Sequence, residues 1–166
     1  MNNQQGIDLA DARVQRAIAL VWHEAELLDA KDYQAWQELY TAEAHYVIPI
    51  DPDTEDFATA LNMVYDDHRM RRMRVERMVQ GYAPSAIAAA RTVRTLNRFS
   101  TTEVTDEQVV LRSAQIVCSY KRNRHDLLAG EVTHTIALRA DGDRIAGKVI
   151  RLLNSEDAVN AAGFLL

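Results

Sequence analysis

The chain holds a single cysteine, Cys118, among its 166 residues, so no disulfide can form within it and nothing points to an oxidising compartment. Long apolar runs are also missing. The longest, Ala17 to Trp22, falls far short of the ~20 residues a membrane-spanning helix needs. Met1 to Gly6 are polar and uncharged, without the basic and then apolar order of a secretory signal. Basic residues are not in excess: 19 lysines and arginines face 24 aspartates and glutamates, a net charge of -5, which argues against a general nucleic-acid binder. Glycine-rich nucleotide loops and the G-x-S-x-G elbow are absent, as are internal repeats and low-complexity segments. The expectation is a cytoplasmic protein that binds neither nucleic acid nor membrane.

What is present suits one globular domain, residues 1–166, with residues 1–13 as a flexible start. A chain this long should bury roughly 70% of its unfolded surface. Ile18, Val21, Trp22, Ala25 and Leu28 recur at three- and four-residue steps, which predicts a helix from a cap at Asp8 to about Ala30. Asp32 can cap a second, short helix carrying Tyr33, Trp36, Leu39 and Tyr40. A strand is expected at 44–50, with Pro49 ending its pairing, and a loop at 51–56. Residues 61–80 read as a helix stopped by Gly81, its second half dense in arginine. Pro84 and the run 86–90 read as a connection, with a short helical turn in the latter.

The last half alternates like sheet, with strands at 92–104, 108–122, 130–140 and 144–154. Residues 105–107 and 141–143 are good hairpin turns, and 123–128 reads as a longer connection. Short connections imply antiparallel neighbours. Helices followed by a meander indicate an α+β fold, with N-terminal helices packed on a curved, mostly antiparallel sheet. The apolar end, Phe164 to Leu166, should dock on the fold or face a partner.

Glu24-Ala25-Glu26-Leu27-Leu28-Asp29 leads to Tyr33 and Trp36, and then to Tyr46-Val47-Ile48-Pro49. Farther on come Tyr65-Asp66-Asp67, Arg74-Val75-Glu76-Arg77-Met78 and Arg91-Thr92-Val93-Arg94 with Asn97. Leu138 to Asp143 then lead to Leu152-Leu153-Asn154. In order and spacing this resembles the small (beta) subunits of aromatic-ring-hydroxylating dioxygenases, from about Val14 to Glu156. Ala90 replaces the usual serine, and the tryptophan often found after the Asp-Gly turn is missing.

The resemblance implies a cone-shaped fold, like that of nuclear transport factor two and the ketosteroid isomerases. It implies a non-catalytic assembly subunit of an oxidoreductase that cis-dihydroxylates an aromatic compound. The subunit would form a homotrimer within an alpha3-beta3 assembly, supporting large (alpha) catalytic subunits that carry a Rieske cluster and a mononuclear iron. This chain would hold neither centre. A Rieske cluster takes two cysteines and two histidines, and one cysteine cannot supply it. The five histidines (His23, His45, His68, His125 and His134) show no persuasive ligand spacing, although His23 and Glu26 can share a helix face.

The arginine-rich helix is either a solvated face balanced by Asp66, Asp67 and Glu76 or a partner interface. Arg69, Arg72, Arg91, Arg94 and Arg98 are the candidate interface residues, with Arg94 and Arg98 expected on one side of their strand. Trp22 and Trp36 read as core anchors, and Tyr33 and Tyr46 as buried rings with partnered hydroxyls. Cys118 reads as a buried, inert thiol. His134 shares a face with Val132, Ile136 and Leu138, so it is a satisfied core histidine or a general acid or base in a cone pocket, assisted by Tyr46 or Asp29. That second possibility defines the rival readings: a stand-alone isomerase, dehydratase or cyclase, or an oligomeric binding module without turnover.

Overall fold

The computed structural model describes residues 6–80, 90–155 and 164–166. The expectations for Gly81, Pro84 and 86–89 lie outside the described residues, as do residues 156–163 ahead of the apolar end. Helix α1 (Ala12–Ala30) turns one continuous stripe inward: Val14, Ala17, Ile18, Val21, Glu24, Ala25 and Leu28. Its cap is Asp11, three residues later than expected, whose side chain accepts from Arg13 N. Arg13's side chain grips the same carboxylate, and that hydrogen bond first of all lowers the Asp11 pKa to about 2. Lys31, in the left-handed region at φ 59°, closes the helix. Asp32 caps α2 (Tyr33–Glu38) as expected, accepting from Ala35 N at 3.1 Å.

The strands are β1 (Tyr40–Pro49), β2 (Asn62–Asp66), β3 (Arg91–Val104), β4 (Gln108–Lys121), β5 (Arg124–Ala137) and β6 (Arg144–Leu152). Helix α3 (His68–Val79) lies between β2 and β3. The expected helix over 61–80 therefore begins as a strand, and only 68–79 are helical. Residues 62–66 pair antiparallel with β1, and Asp67 caps the helix that follows by accepting from Met70 N. These strands form one sheet in the order β2-β1-β6-β5-β4-β3. Every neighbouring pair is antiparallel except β1 and β6, whose long separation in sequence permits the parallel match.

The expected connection over 123–128 is instead the start of β5. Arg122 and Asn123, both at positive φ (50° and 61°), make a two-residue turn, so β4 and β5 stay paired from Lys121↔Arg124 onward. Register shifts in β3, β5 and β1 mark bulges that bend the sheet around the helices. The β3 shift lies between Asn97 and Ser100, around Arg98 at φ 52°. It overturns the expectation for the two strand arginines: Arg94 points into the core, its side chain 1% exposed, while Arg98 points out, 68% exposed.

The concave face of the sheet and the α1 stripe enclose the core, with Trp36, Val109, Leu111, Ile136, Ile145 and Ile150 at its centre. Trp36 is wholly buried, as expected. Trp22 is not a core anchor: it is half exposed and packs edge-on against Phe99. Arg71 departs from both readings of the arginine helix. It is fully buried over the Tyr40 ring and donates to the carbonyls of Ala44, Asp66 and Thr41, tying α3 to β1.

Candidate functional site

A row of side chains crosses the concave face. Register places Asp66 opposite Tyr46, Tyr46 opposite Lys148, Lys148 opposite His134, and His134 opposite Leu111. Strand alternation sends Lys148 inward with Ile150 and Leu152, and His134 inward with Val132 and Ile136. Helix α1 lowers Glu24 onto this row, one turn after Val21 on the same stripe.

Glu24 is the centre of the cluster. Its Oε1 accepts from Trp36 Nε1 at 2.9 Å, Tyr40 OH at 2.8 Å and Lys148 Nζ at 2.8 Å. Its Oε2 lies 2.8 Å from His134 Nε2. Burial by itself pushes the Glu24 pKa up, but the Lys148 charge and the hydrogen bonds from His134 and Lys148 outweigh it, so the carboxyl is held well below the usual carboxylate range. Burial lowers the His134 pKa, and the nearby Lys148 charge acts in the same sense, so the imidazole is neutral. A carboxylate can only accept, so the His134 proton sits on Nε2 and Nδ1 is a bare lone pair. Burial also raises the Tyr40 phenol well above its ordinary value, with the Glu24 charge reinforcing it.

Chemically this is an ion pair with a neutral histidine, closed on itself. An ionised carboxylate with four donors is a weak base, and His134 has one nitrogen committed to it. Tyr46 does not touch His134. Its hydroxyl donates to the Leu166 carbonyl at 2.9 Å and accepts from Leu166 N at 3.2 Å. Lys148 Nζ also donates to that carbonyl, at 3.1 Å. Asp29 is used elsewhere: it accepts from Thr92 Oγ1 at 2.8 Å, Arg94 N at 2.9 Å and Arg94 Nε at 2.8 Å, clasping the end of α1 to β3. The expected trio of His134, Tyr46 and Asp29 is thus distributed over three separate hydrogen-bonded groups. Glu24 and Lys148 were not singled out from the sequence, although an acid on an apolar helix stripe and a lysine on an apolar strand face were both visible there.

The convex face of the sheet is different. Val93, Ile116, Tyr120 and Leu127 are exposed there by 67%, 47%, 40% and 69%. Register sets Val93 beside Cys118 and Cys118 beside Leu127, so they form one apolar patch. Cys118 is half-buried on this outer face rather than in the core, with its Sγ 3.9 Å from His125 Nδ1. Arg91 and Arg98 lie at the margins of the patch, and Arg98 donates to Glu131 at 2.7 Å. Arg69 and Arg72 are exposed on α3. Among the described residues no three His, Cys, Asp or Glu side chains are grouped to hold a metal, and no helix is long and apolar enough to cross a membrane.

Helices packed on a curved mixed sheet define a cone-shaped α+β fold, as the sequence led us to expect. A protein of Novosphingobium aromaticivorans described as NTF2-like with a cystatin-like fold superposes with a TM-score of 0.61 at 14% identity, covering 90% of this chain and 86% of that one. The beta subunit of benzoate 1,2-dioxygenase from Burkholderia mallei superposes with a TM-score of 0.75 at 22% identity, over 97% and 99% of the two chains. In sequence, the chain is similar to the small oxygenase component of the p-cumate 2,3-dioxygenase system of Pseudomonas putida: 29% identity over 125 residues, 74% of this chain and 69% of that protein. Residues 23–156 match the family described as ring hydroxylating beta subunit, and the chain belongs to that family.

Proposed function

We propose that this chain is the non-catalytic assembly subunit of a Rieske-type dioxygenase that cis-dihydroxylates an aromatic compound. It forms a homotrimer and braces large subunits, which carry the Rieske cluster and the mononuclear iron. The observation that carries the reading is the family match across 23–156. The use of the interior polar groups supports it: Glu24, Lys148 and His134 hold α1 to the sheet instead of facing a reactant.

The convex patch of Val93, Ile116, Tyr120 and Leu127 is the surface we assign to association, because a contiguous exposed apolar area marks a contact site. Arg91 and Arg98 at its margin, with Arg69 and Arg72 on α3, are the charged contacts; the buried Arg94 is withdrawn from that set. The test is co-expression with a Rieske-type large subunit, followed by intact-mass measurement and iron and sulfide assay. The parent chain should yield an iron-bearing hetero-oligomer, and Ile116→Asp with Leu127→Glu should release a folded monomer. An iron-free homo-oligomer in every co-expression would sink the proposal.

One observation favours a second reading. The 2.8 Å contact between Glu24 and His134 has the form of an oriented histidine base, with Nδ1 unpartnered among the described residues. Metal-free turnover that His134→Ala abolishes without unfolding the chain would establish it.

A further inference from the structure

The segment Phe164–Leu166 sits inside the cone, each residue less than a tenth exposed, and its contacts resemble those of a bound molecule. Its apolar side chains join the core cluster. Its last carbonyl oxygen receives two donors, Tyr46 OH at 2.9 Å and Lys148 Nζ at 3.1 Å. A third group with unused donors faces the same interior. Arg94 spends Nε on Asp29, but among the described residues its Nη1 and Nη2 find no hydrogen-bond partner although the side chain is 1% exposed. Ser113 Oγ, a hydroxyl able to donate from the same concave face, is also buried without a partner among the described residues. Buried polar atoms are nearly always paired, so unpaired donors in this interior mark a place able to meet an acceptor.

We propose that the cone interior is a binding site for a small apolar carboxylic acid, occupied in this structure by Phe164–Leu166. The Leu166 main-chain oxygen marks the seat of one carboxylate oxygen, between Tyr46 and Lys148, and the Leu166 side chain marks that of the apolar body. The Lys148 ammonium at that seat supplies the charge that a carboxylate takes and a neutral amide does not. The acid and the segment compete for one seat.

Binding at this seat is independent of the assembly role and is tested on the isolated 166-residue chain. The probe is 4-methylpentanoate, which copies the leucine side chain and carries a carboxylate; 4-methylpentanamide is the neutral control. Titration calorimetry compares the parent with a Phe164→Ala, Leu165→Ala variant that weakens the segment's hold. The variant should bind the acid at least tenfold more tightly than the parent does and at least tenfold more tightly than it binds the amide. Adding Lys148→Met should remove that preference for the acid. In the parent, saturating acid should speed hydrogen exchange at the Leu165 and Leu166 amides severalfold, a reading that stands even if the variant fails to fold. Equal binding of acid and amide, absence of binding, or unchanged exchange with the acid bound would each overturn the proposal.

Discussion

Replacing Glu24 by glutamine keeps the shape of the side chain and removes its charge. The consequence is set by what remains. Lys148, 1% exposed, loses the carboxylate 2.8 Å from its ammonium. At that distance an effective dielectric of 20 gives an attraction of ~6 kcal/mol. Breaking one side of a buried pair costs about 3–5 kcal/mol in practice, because the surviving charge has lost its counter-charge. Lys148 can escape by shedding its proton. From an ordinary lysine value near 10.4 that costs about 4–5 kcal/mol at pH 7, which caps the loss in the same range. Trp36 and Tyr40 can still donate to the amide oxygen, so hydrogen bonding is only partly lost.

We therefore expect Glu24→Gln to lower unfolding stability by about 3–5 kcal/mol at pH 7, a large share of the ~5–15 kcal/mol typical of a domain. Urea denaturation followed by tryptophan fluorescence and circular dichroism measures it, provided the m-value is unchanged. Glu24→Gln combined with Lys148→Met leaves no orphaned charge and should recover at least ~2 kcal/mol relative to the sum of the single losses. A Glu24→Gln protein within ~1 kcal/mol of the parent, or single losses that merely add, would refute the buried-pair reasoning.

Three further outcomes follow from other parts of the fold. His134 has a folded-state pKa below its ordinary value, so below about pH 6.5 the unfolded chain binds a proton that the folded chain does not, and stability falls by up to about 1.4 kcal/mol per pH unit. His134→Asn lacks that term, so the stability gap between parent and variant should narrow from pH 7.5 to 5.5; parallel curves would contradict the neutral assignment. Gly130→Ala drives a Cβ into the Arg151 carbonyl on the neighbouring strand, so it should cost several kcal/mol and lower Tm by more than about 5 °C in a thermal melt. Arg122→Asn with Asn123→Gly places residues suited to positive φ in the β4–β5 turn and should raise stability by about 0.5–1 kcal/mol in the same urea assay.

Where a signal is local, the sequence carries it. The three-four spacing from Ile18 to Leu28 predicts α1, and alternation with turn residues at 105–107 and 141–143 predicts the meander. The spaced motif from Glu24 to Pro49 leads to the family that residues 23–156 match. Where the outcome turns on a competition with distant residues, the local reading fails. Residues 62–66 extend because β1 offers a partner, and Asp67 starts the helix only after them. Arg122 and Asn123 turn within two residues because β4 and β5 pair along their whole length. Arg94 and Arg98 part company because a register shift in β3 breaks the alternation between them.

The amino-acid sequence by itself determines the class of fold, the inward stripe of α1, the family and the exclusion of a cysteine-rich metal centre. These depend on residue types and on spacings of a few positions. Only the tertiary structure joins Glu24 to His134 and Lys148, 110 and 124 residues farther along, and seats Leu166 beside Tyr46. The reason is energetic: an acid on an apolar helix stripe and a lysine on an apolar strand face are each unfavourable alone, and become stable only when the fold desolvates them together with every hydrogen bond of the carboxylate made.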